Sequence, residues 1–338
     1  MALRALLGLS LVLILGCFSY ASAGTRQTDS GSVDYRPAAA ELEGKVAERF
    51  RLPPHSFQWQ ARSLGLDSDN LEIWDVTFPS PVKTPHEVNN TVHCEFYQPK
   101  VAGRRPAVIV LHIMGGDFAL SRVFCNALAQ QGTASLFLKM PYYGPRRPEG
   151  LNERMVSADP EQTVARMTQA VLDIRQATAW LAARDDVDDQ QLGIMGISLG
   201  GITAALAAGA EPRLQNVCLL LAGGDLGRIV SESKLLARHR DKWLAAGADP
   251  EKAIATIQVV DPLRYAANVR GRRIVMFNAR DDDVIPPLCT QLLWEALGKP
   301  PIHYFNGNHY TVIWHIPKAL HDVSHFFAQK EMAAVSSP

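Results

Sequence analysis

Cysteine is scarce in this 338-residue chain, five in all, and no two of them form a CxxC pair. That scarcity excludes the small disulfide-framed scaffolds, and the lack of CxxC and HExxH spacings removes the usual sequence signs of a zinc site. No metal and no cofactor is expected. Net charge is lacking too, since 34 Lys+Arg face 34 Asp+Glu. A neutral chain has no general positive field with which to hold nucleic acid, so no nucleic-acid partner is expected. Beyond the first twenty-odd residues no apolar run approaches the length of a membrane-crossing helix. There is no collagen period, no sustained heptad and no internal repeat. What is present is ordinary globular composition, 47% hydrophobic and 20% charged, in a chain long enough for one large α/β domain or two small ones.

The N-terminus reads as a targeting segment and not as part of the fold. Arg4 precedes the apolar run Leu6 to Gly16, and Ala21-Ser22-Ala23 precedes Gly24. A charged start, a short apolar stretch and a small-x-small ending define a secretory signal peptide over 1–23. The expectation is an exported protein, periplasmic or secreted, starting at Gly24. The competing reading is a membrane-anchored lipoprotein processed at Cys17, because Ile14-Leu15-Gly16-Cys17 is lipobox-like. The Ala-x-Ala ending favours simple export. Outside that segment lie Cys94, Cys125, Cys218 and Cys289, an even number that an oxidising compartment permits to pair. Cys218, inside Val217 to Leu221, has the setting of a small hydrophobe in a buried strand.

Residues 24–36, rich in Gly, Thr, Ser and Asp, read as a flexible start, and Leu42, Val46 and Phe50 at four-residue spacing predict a short amphipathic helix. These make up an N-terminal segment, 24–70, ahead of a main domain over 71–330. Leu71 to Phe78 and Thr91 to Tyr97 alternate as an antiparallel hairpin does. Unbroken apolar runs follow at Ala107 to Leu111, Ala134 to Leu138, Leu192 to Met195, Val217 to Leu221 and Ile274 to Phe277. Such runs suit strands buried on both faces. Helical stretches separate them: Phe118 to Gln131, Gln162 to Ala183, Leu199 to Gly209 and Pro286 to Leu297. The fold class this predicts is α/β, a doubly wound and mostly parallel sheet.

The chemical signal is Gly196-Ile197-Ser198-Leu199-Gly200, set between an apolar strand and an Ala-rich helix. A serine between two glycines at a strand-to-helix turn is a nucleophile elbow: the turn exposes the hydroxyl, and the glycines remove Cβ atoms that would collide. The helix that follows aims its free N–H groups and dipole at developing negative charge. Such a serine needs a base and an orienting carboxylate, in chain order Ser, acid, His. Strand Ile274 to Phe277 runs into Asp281-Asp282-Asp283-Val284-Ile285-Pro286, and one of the three aspartates should face the site while the others are solvated or cap the next helix. Strand Ile302 to Phe305 runs into Asn306-Gly307-Asn308-His309, which puts His309 in a loop just past a strand end. His303, His315, His321 and His325 lie in a strand or along the last helix and read as packing or surface residues. The oxyanion hole is expected from the backbone N–H groups of Met114, in the loop His112-Ile113-Met114-Gly115-Gly116, and Leu199.

In this order the motifs resemble the α/β-hydrolase superfamily, and the resemblance covers about residues 70–328. It implies that the acid lies four residues before the proline of a D-x-x-V-P pattern, which gives Asp282. The loop at His112 is similar to the family's His-Gly-x-x-Gly loop, with Ile113 in place of the first glycine. Met140 to Pro148, with Tyr142-Tyr143-Gly144-Pro145-Arg146-Arg147-Pro148, resembles the dienelactone-hydrolase and acetyl-xylan-esterase-like branch. It is closer still to an α/β-hydrolase-domain group with a Tyr-Gly-x-Arg-Arg-Pro signature. Its Tyr and Arg side chains either line or buttress the pocket, or the loop forms a salt-bridged structural corner. The resemblance further implies a helical cap over the site in the insertion at about 225–268. There Ser231, Lys234, His239 and Trp243 are the residues with chemistry, each with the setting of a solvated helix face.

The resulting expectation is an exported serine hydrolase acting on a small-molecule carboxylic ester, with Ser198 as nucleophile, His309 as base and Asp282 as orienting acid. Two alternatives stand beside it. One is a prolyl-oligopeptidase-like peptidase, although residues 24–70 are too few for that family's propeller. The other is a catalytically inactive hydrolase fold that serves as a binding protein.

Overall fold

The computed structural model describes residues 27–66, 68–116, 118–150, 154–245, 247 and 249–329. The expected signal peptide, with Cys17 and the Gly24 start, lies outside the described residues, as do the side chains of His239 and Trp243. Among the described residues ten strands form one open sheet: β1 (Thr28–Tyr35), β2 (His55–Ser63), β3 (Leu71–Pro79), β4 (Thr91–Pro99), β5 (Arg105–Leu111), β6 (Ala134–Leu138), β7 (Val187–Ile197), β8 (Asn216–Leu220), β9 (Arg273–Ala279) and β10 (Ile302–Phe305). Their order is β1-β2-β3-β4-β6-β5-β7-β8-β9-β10. From β6 to β10 every neighbouring pair is parallel. β1 to β4 pair antiparallel, and β4 joins the parallel part antiparallel to β6.

The apolar runs form strands because residues on both sides of each pleat have something to pack against. In β5, Ile109 and Leu111 belong to the core on one face while Val108 and Val110 belong to the core on the other. The first face is covered by α3 (Pro160–Ala182) and α4 (Leu199–Ala210), the second by α2 (Ala119–Gln130) and α9 (Ile316–Phe327). The four cysteines Cys94, Cys125, Cys218 and Cys289 are all free and buried. They fill volume as small hydrophobes.

The N-terminal expectations need correcting. Residues 28–35 are not a flexible start, since all eight pair with β2 as an edge strand. Their Gly, Ser and Asp content hides this, because only Val33 and Tyr35 are buried and the backbone ladder supplies the rest. Nor do Leu42, Val46 and Phe50 share one helix. Ala40–Glu43 is a single helical turn, α1, and Glu48–Phe50 a short 3₁₀ turn. Val46 and Phe50 are buried, but Leu42 is exposed. The antiparallel part is four strands and not a hairpin, so the sheet runs unbroken across the boundary expected at residue 71.

The chain enters the parallel part at β5, moves outward to β6, then returns across β5 to β7 through α3. The strand order therefore reverses between β5 and β7. A crevice opens at such a point beyond the strands' carboxyl ends. Between β8 and β9 the insertion folds as α5 (Leu226–Glu232), α6 (Ala237–Ala245), α7 (Pro250–Ile257) and three short 3₁₀ turns. Asp261 pins its two ends together, its carboxylate accepting the N–H groups of Asp225, Leu226 and Leu263.

Candidate active site

Four loops at the carboxyl ends of parallel strands converge beside the crevice: those after β5, β7, β9 and β10. At the end of β7, Ser198 takes φ 57° and ψ −117°, a left-handed conformation that is strained for any residue with a side chain. The two flanking glycines make that turn possible. A Cβ on Gly196 would lie 2.1 Å from the carbonyl oxygen of Gly200, and a Cβ on Gly200 would lie 2.6 Å from that of His112. The strand, the elbow and the loop after β5 therefore touch backbone to backbone. The turn is tied to the sheet by the Ser198 N–H, which donates to the Leu220 carbonyl at 2.9 Å.

The Ser198 hydroxyl meets Nε2 of His309 at 2.9 Å. Nδ1 of the same ring lies 2.8 Å and 3.0 Å from the two carboxylate oxygens of Asp282. All three residues are buried. The sense of the chain follows from what each group can do: the carboxylate accepts from Nδ1–H, which leaves Nε2 to accept the serine proton. Asp282 is held in turn by its own loop, where Oδ1 accepts the N–H groups of Val284 at 2.9 Å and Ile285 at 2.8 Å.

The other two aspartates are placed differently. Asp281 is exposed, and Asp283 pairs with Lys234 of the cap at 3.1 Å. Neither caps the helix that follows, α8 (Pro287–Ala296), whose N-cap position is Pro286 with no side-chain bond. The remaining histidines stand away from the serine. His303 stacks on Phe277, His315 stacks on Phe305, and His321 faces His325.

The loop after β5 is ordered by a buried histidine. Met140 donates its N–H to Nε2 of His112 at 3.1 Å, so the ring proton sits on Nδ1 and is donated to the Ile113 carbonyl at 2.8 Å. Burial lowers the pKa of this imidazole to about 4, keeping it neutral. The Ile113 carbonyl also accepts from Gly116 N–H at 3.2 Å. That carbonyl belongs to the same peptide group as the Met114 N–H, and in a trans peptide the two point opposite ways. Pinning the one aims the other. Arg154 clamps the loop from outside, donating to the carbonyls of Met114 at 3.0 Å and Gly115 at 2.6 Å. Among the described residues the Met114 and Leu199 N–H groups have no acceptor, and both residues line the cavity beside Ser198.

The loop with tyrosine and arginine is a structural corner and not a pocket wall. Arg146 is fully buried, pairs with Asp173 at 2.8 Å and donates to the Asn89 and Lys139 carbonyls. Tyr143 packs edge-on against His112 with ring centroids 4.6 Å apart. The corner supports the loop after β5 through that contact.

The cavity beside Ser198 has a volume of about 80 Å³ and a largely apolar wall. The cap supplies Leu226, Ile229, Val230, Ser233, Leu235 and Leu236, and α3 supplies Thr163 and Met167. Ser231 and Lys234 do not line it: Ser231 donates to the Gly227 carbonyl and Lys234 to Asp283. These two cap residues, with chemistry in their side chains, are thus not among those that form the wall. The signal that marks the wall is instead the apolar spacing of Leu226, Ile229 and Val230 along α5. A larger groove, about 380 Å³, lies at the opposite end of the sheet where β9 begins. It holds Arg272 and Arg273 but no nucleophile or base, and Arg272 is engaged with main-chain carbonyls. Among the described residues no group of three or more His, Cys, Asp or Glu could hold a metal ion, and no helix is long and apolar enough to cross a membrane.

An open, mostly parallel sheet with flanking helices, and a serine elbow at its switch point, is the α/β-hydrolase architecture. The chain matches the family described as alpha/beta hydrolase domain containing 18 over residues 40–227, and it belongs to that family. It also matches the prolyl oligopeptidase family over residues 166–330. Two uncharacterized proteins of Mycobacterium tuberculosis, from strains CDC 1551 / Oshkosh and H37Rv, are each 30% identical over 175 residues, covering 50% of this chain. The match spans 40% of the length of those relatives. Among solved structures, acetyl xylan esterase 1 from Thermoanaerobacterium sp. JW/SL YS485 is similar with a TM-score of 0.68 and 16% identity, covering 88% of this chain and 96% of that one. The acetyl xylan esterase from Paenibacillus sp. R4 gives a TM-score of 0.64 and 17% identity, covering 85% and 99%. At such identities the likeness is one of fold.

Proposed function

We propose that this protein is a serine hydrolase that cleaves carboxylic esters through an acyl-enzyme. The observation that carries the reading is the buried chain from Asp282 through His309 to the hydroxyl of Ser198 on a strained elbow. Ser198 Oγ attacks the acyl carbonyl while His309 Nε2 takes its proton, and Asp282 holds the ring in the tautomer that leaves Nε2 free. The oxygen that becomes negative is met by the N–H groups of Met114 and Leu199, the second reinforced by the start of α4. His309 then gives its proton to the departing alcohol. A water, deprotonated by the same ring, attacks the acyl carbon and releases the acid, and the proton returns to Ser198. No step draws on a cofactor.

The test is turnover of p-nitrophenyl esters together with labelling of Ser198 by a fluorophosphonate. Hydrolysis that disappears in Ser198→Ala is the expected result, and a folded protein inert to both would overturn the reading. The match to the prolyl oligopeptidase family favours a second reading, cleavage of peptides by the same residues. Peptide p-nitroanilides in the same assay separate the two. Export completes the proposal: cleavage after Ala23 would leave β1, which begins at Thr28, intact. N-terminal sequencing of material from the native host should read Gly24 onward, and a lipid-modified Cys17 would refute simple export.

A further inference from the structure

Three residues with a hydroxyl lie in the lining of the cavity beside the elbow: Ser198, Thr163 and Ser233. Ser198 is bonded to His309. Thr163 is spent on its own helix start, accepting from Ser157 N–H at 3.0 Å and donating to main-chain carbonyls. Ser233 is different, for it is fully buried and, among the described residues, its Oγ has no hydrogen-bond partner. Around it the wall is hydrocarbon, with Leu226, Ile229, Leu236, Met167 and Ile285 among its members.

Ser233 is also held in place. It follows the last residue of α5, and its N–H donates to the Ile229 carbonyl at 3.0 Å. The next residue, Lys234, is fastened to Asp283 through its main chain and its ammonium group. The hydroxyl therefore sits on the stretch of cap that is tied to the loop of Asp282. A buried hydroxyl without a partner is unfavourable where alanine would fill the same space, so its place in an apolar wall suits a group that arrives with the ligand. A hydroxyl can donate and accept, so it suits an alcohol, a ketone or an ether oxygen. The cavity, about 80 Å³, is several times the roughly 10–15 Å³ that one water needs, and so admits an arm of several heavy atoms.

We propose that the substrate arm held in this cavity is an uncharged hydrocarbon chain bearing one hydrogen-bonding oxygen, and that Ser233 reads that oxygen and sets specificity. The proposal rests on the ester-hydrolase reading of Ser198. Leaving such a hydroxyl unmet by a plain chain corresponds to a loss of roughly five- to a hundredfold.

The experiment compares kcat/KM for aryl esters of straight alkanoic acids, four to eight carbons long, with analogues carrying one hydroxyl or oxo group at successive positions. The same series is repeated with the oxygen on the alcohol side. The expected result is that at least one oxygenated ester outruns its plain counterpart about tenfold or more in the wild type. In Ser233→Ala the two become equal within about threefold, with folding checked by circular dichroism. Ser233→Cys, nearly the same shape with a much weaker hydrogen-bonding group, should lose the preference in the same way. Equal rates in the wild type, or a preference that survives both substitutions, would overturn the assignment of Ser233 while ester hydrolysis stands. Failure of every ester, plain or oxygenated, with no fluorophosphonate labelling of Ser198, would remove the underlying reading and the proposal with it.

Discussion

At the scale of single residues, the three-member chain separates groups that look alike in the sequence. Asp281, Asp282 and Asp283 are adjacent, yet one is exposed, one faces His309 and one binds a cap lysine. Losing the carboxylate that orients the ring lets the imidazole take the wrong tautomer, which in the serine-protease example costs about 10⁴ in kcat. Asp282→Asn should therefore lower kcat/KM at least roughly a hundredfold. Asp281→Asn should cost less than about tenfold, because an exposed charge acts weakly through water. Steady-state kinetics on one ester, with folding checked by circular dichroism, decide between them; a crippled Asp281→Asn would refute the assignment. Ser198→Ala should abolish turnover and leave the denaturation midpoint close to wild type, since a small side chain replaces a small one at a position that keeps its backbone. Turnover near the wild-type rate in that variant would refute the nucleophile.

At the scale of elements, the elbow and the loop after β5 are in contact backbone to backbone, and the proposed oxyanion hole depends on both. His112 converts the position of Met140 into the orientation of the Ile113–Met114 peptide through two hydrogen bonds. Replacing it with Phe keeps the ring among Phe118, Phe137 and Tyr143 but strands the Met140 N–H. His112→Phe should lower kcat roughly tenfold or more with little change in KM, the mark of a donor used mainly in the transition state. An unchanged kcat would show that the loop holds itself.

The same residue has a consequence for acid stability. Its pKa is lowered by burial to about 4 in the folded protein, against an ordinary value of 6.5. Between those values the unfolded chain binds a proton that the folded chain refuses, so its stability contribution is present above pH 6.5 and is lost as pH falls toward 4. His93 and His303, also lowered by burial, act in the same sense. Denaturant midpoints measured from pH 7 to 4 should fall, and in His112→Phe they should fall less steeply. A steeper fall in the variant would contradict the buried neutral ring.

On the scale of the whole molecule, the segment between β1 and β2 is fastened to the parallel core by buried charge. Arg175, fully buried on α3, pairs with Glu43 at 2.7 Å and Glu211 at 3.4 Å, and donates to the Phe50 carbonyl at 2.6 Å. Arg213 holds Glu211 from the other side at 2.6 Å. Removing one member of a buried set leaves its partners' charge uncompensated, which is typically worth about 3–5 kcal/mol. Arg175→Met should destabilise the fold by that order, read as a lowered urea midpoint. A change under about 1 kcal/mol would mean that Arg213 alone satisfies Glu211.

How much of this was legible in the sequence depends on how local each cause is. The parallel strands, the helices between them and the elbow were readable because their determinants are neighbours in the chain: apolar runs, a helix pattern, and glycines two residues either side of Ser198. β2 could have been found from the alternation of Phe57, Trp59 and Ala61, whereas β1 could not, because its partner and not its composition makes it a strand. Asp282 was picked out by resemblance, since nothing in a run of three aspartates says which one a loop turns inward. Of the cavity lining only the apolar spacing of Leu226, Ile229 and Val230 along α5 leaves a mark in the sequence; the rest joins residues from Met114 to Ile285 whose only relation is spatial.

The sequence by itself thus determined the strand and helix rhythm and the strained turn that presents Ser198, both being effects of sterics and hydrophobic spacing over a few residues. Tertiary structure decided the rest. The register of β9 and β10 beside β8 sets where their loops end, and so brings His309 across 111 residues to Ser198. The packing of the cap on α3 encloses Ser233 in hydrocarbon. A side chain's direction after a loop, and whether its hydroxyl finds water or an apolar wall, depend on contacts between distant segments, which no local pattern encodes.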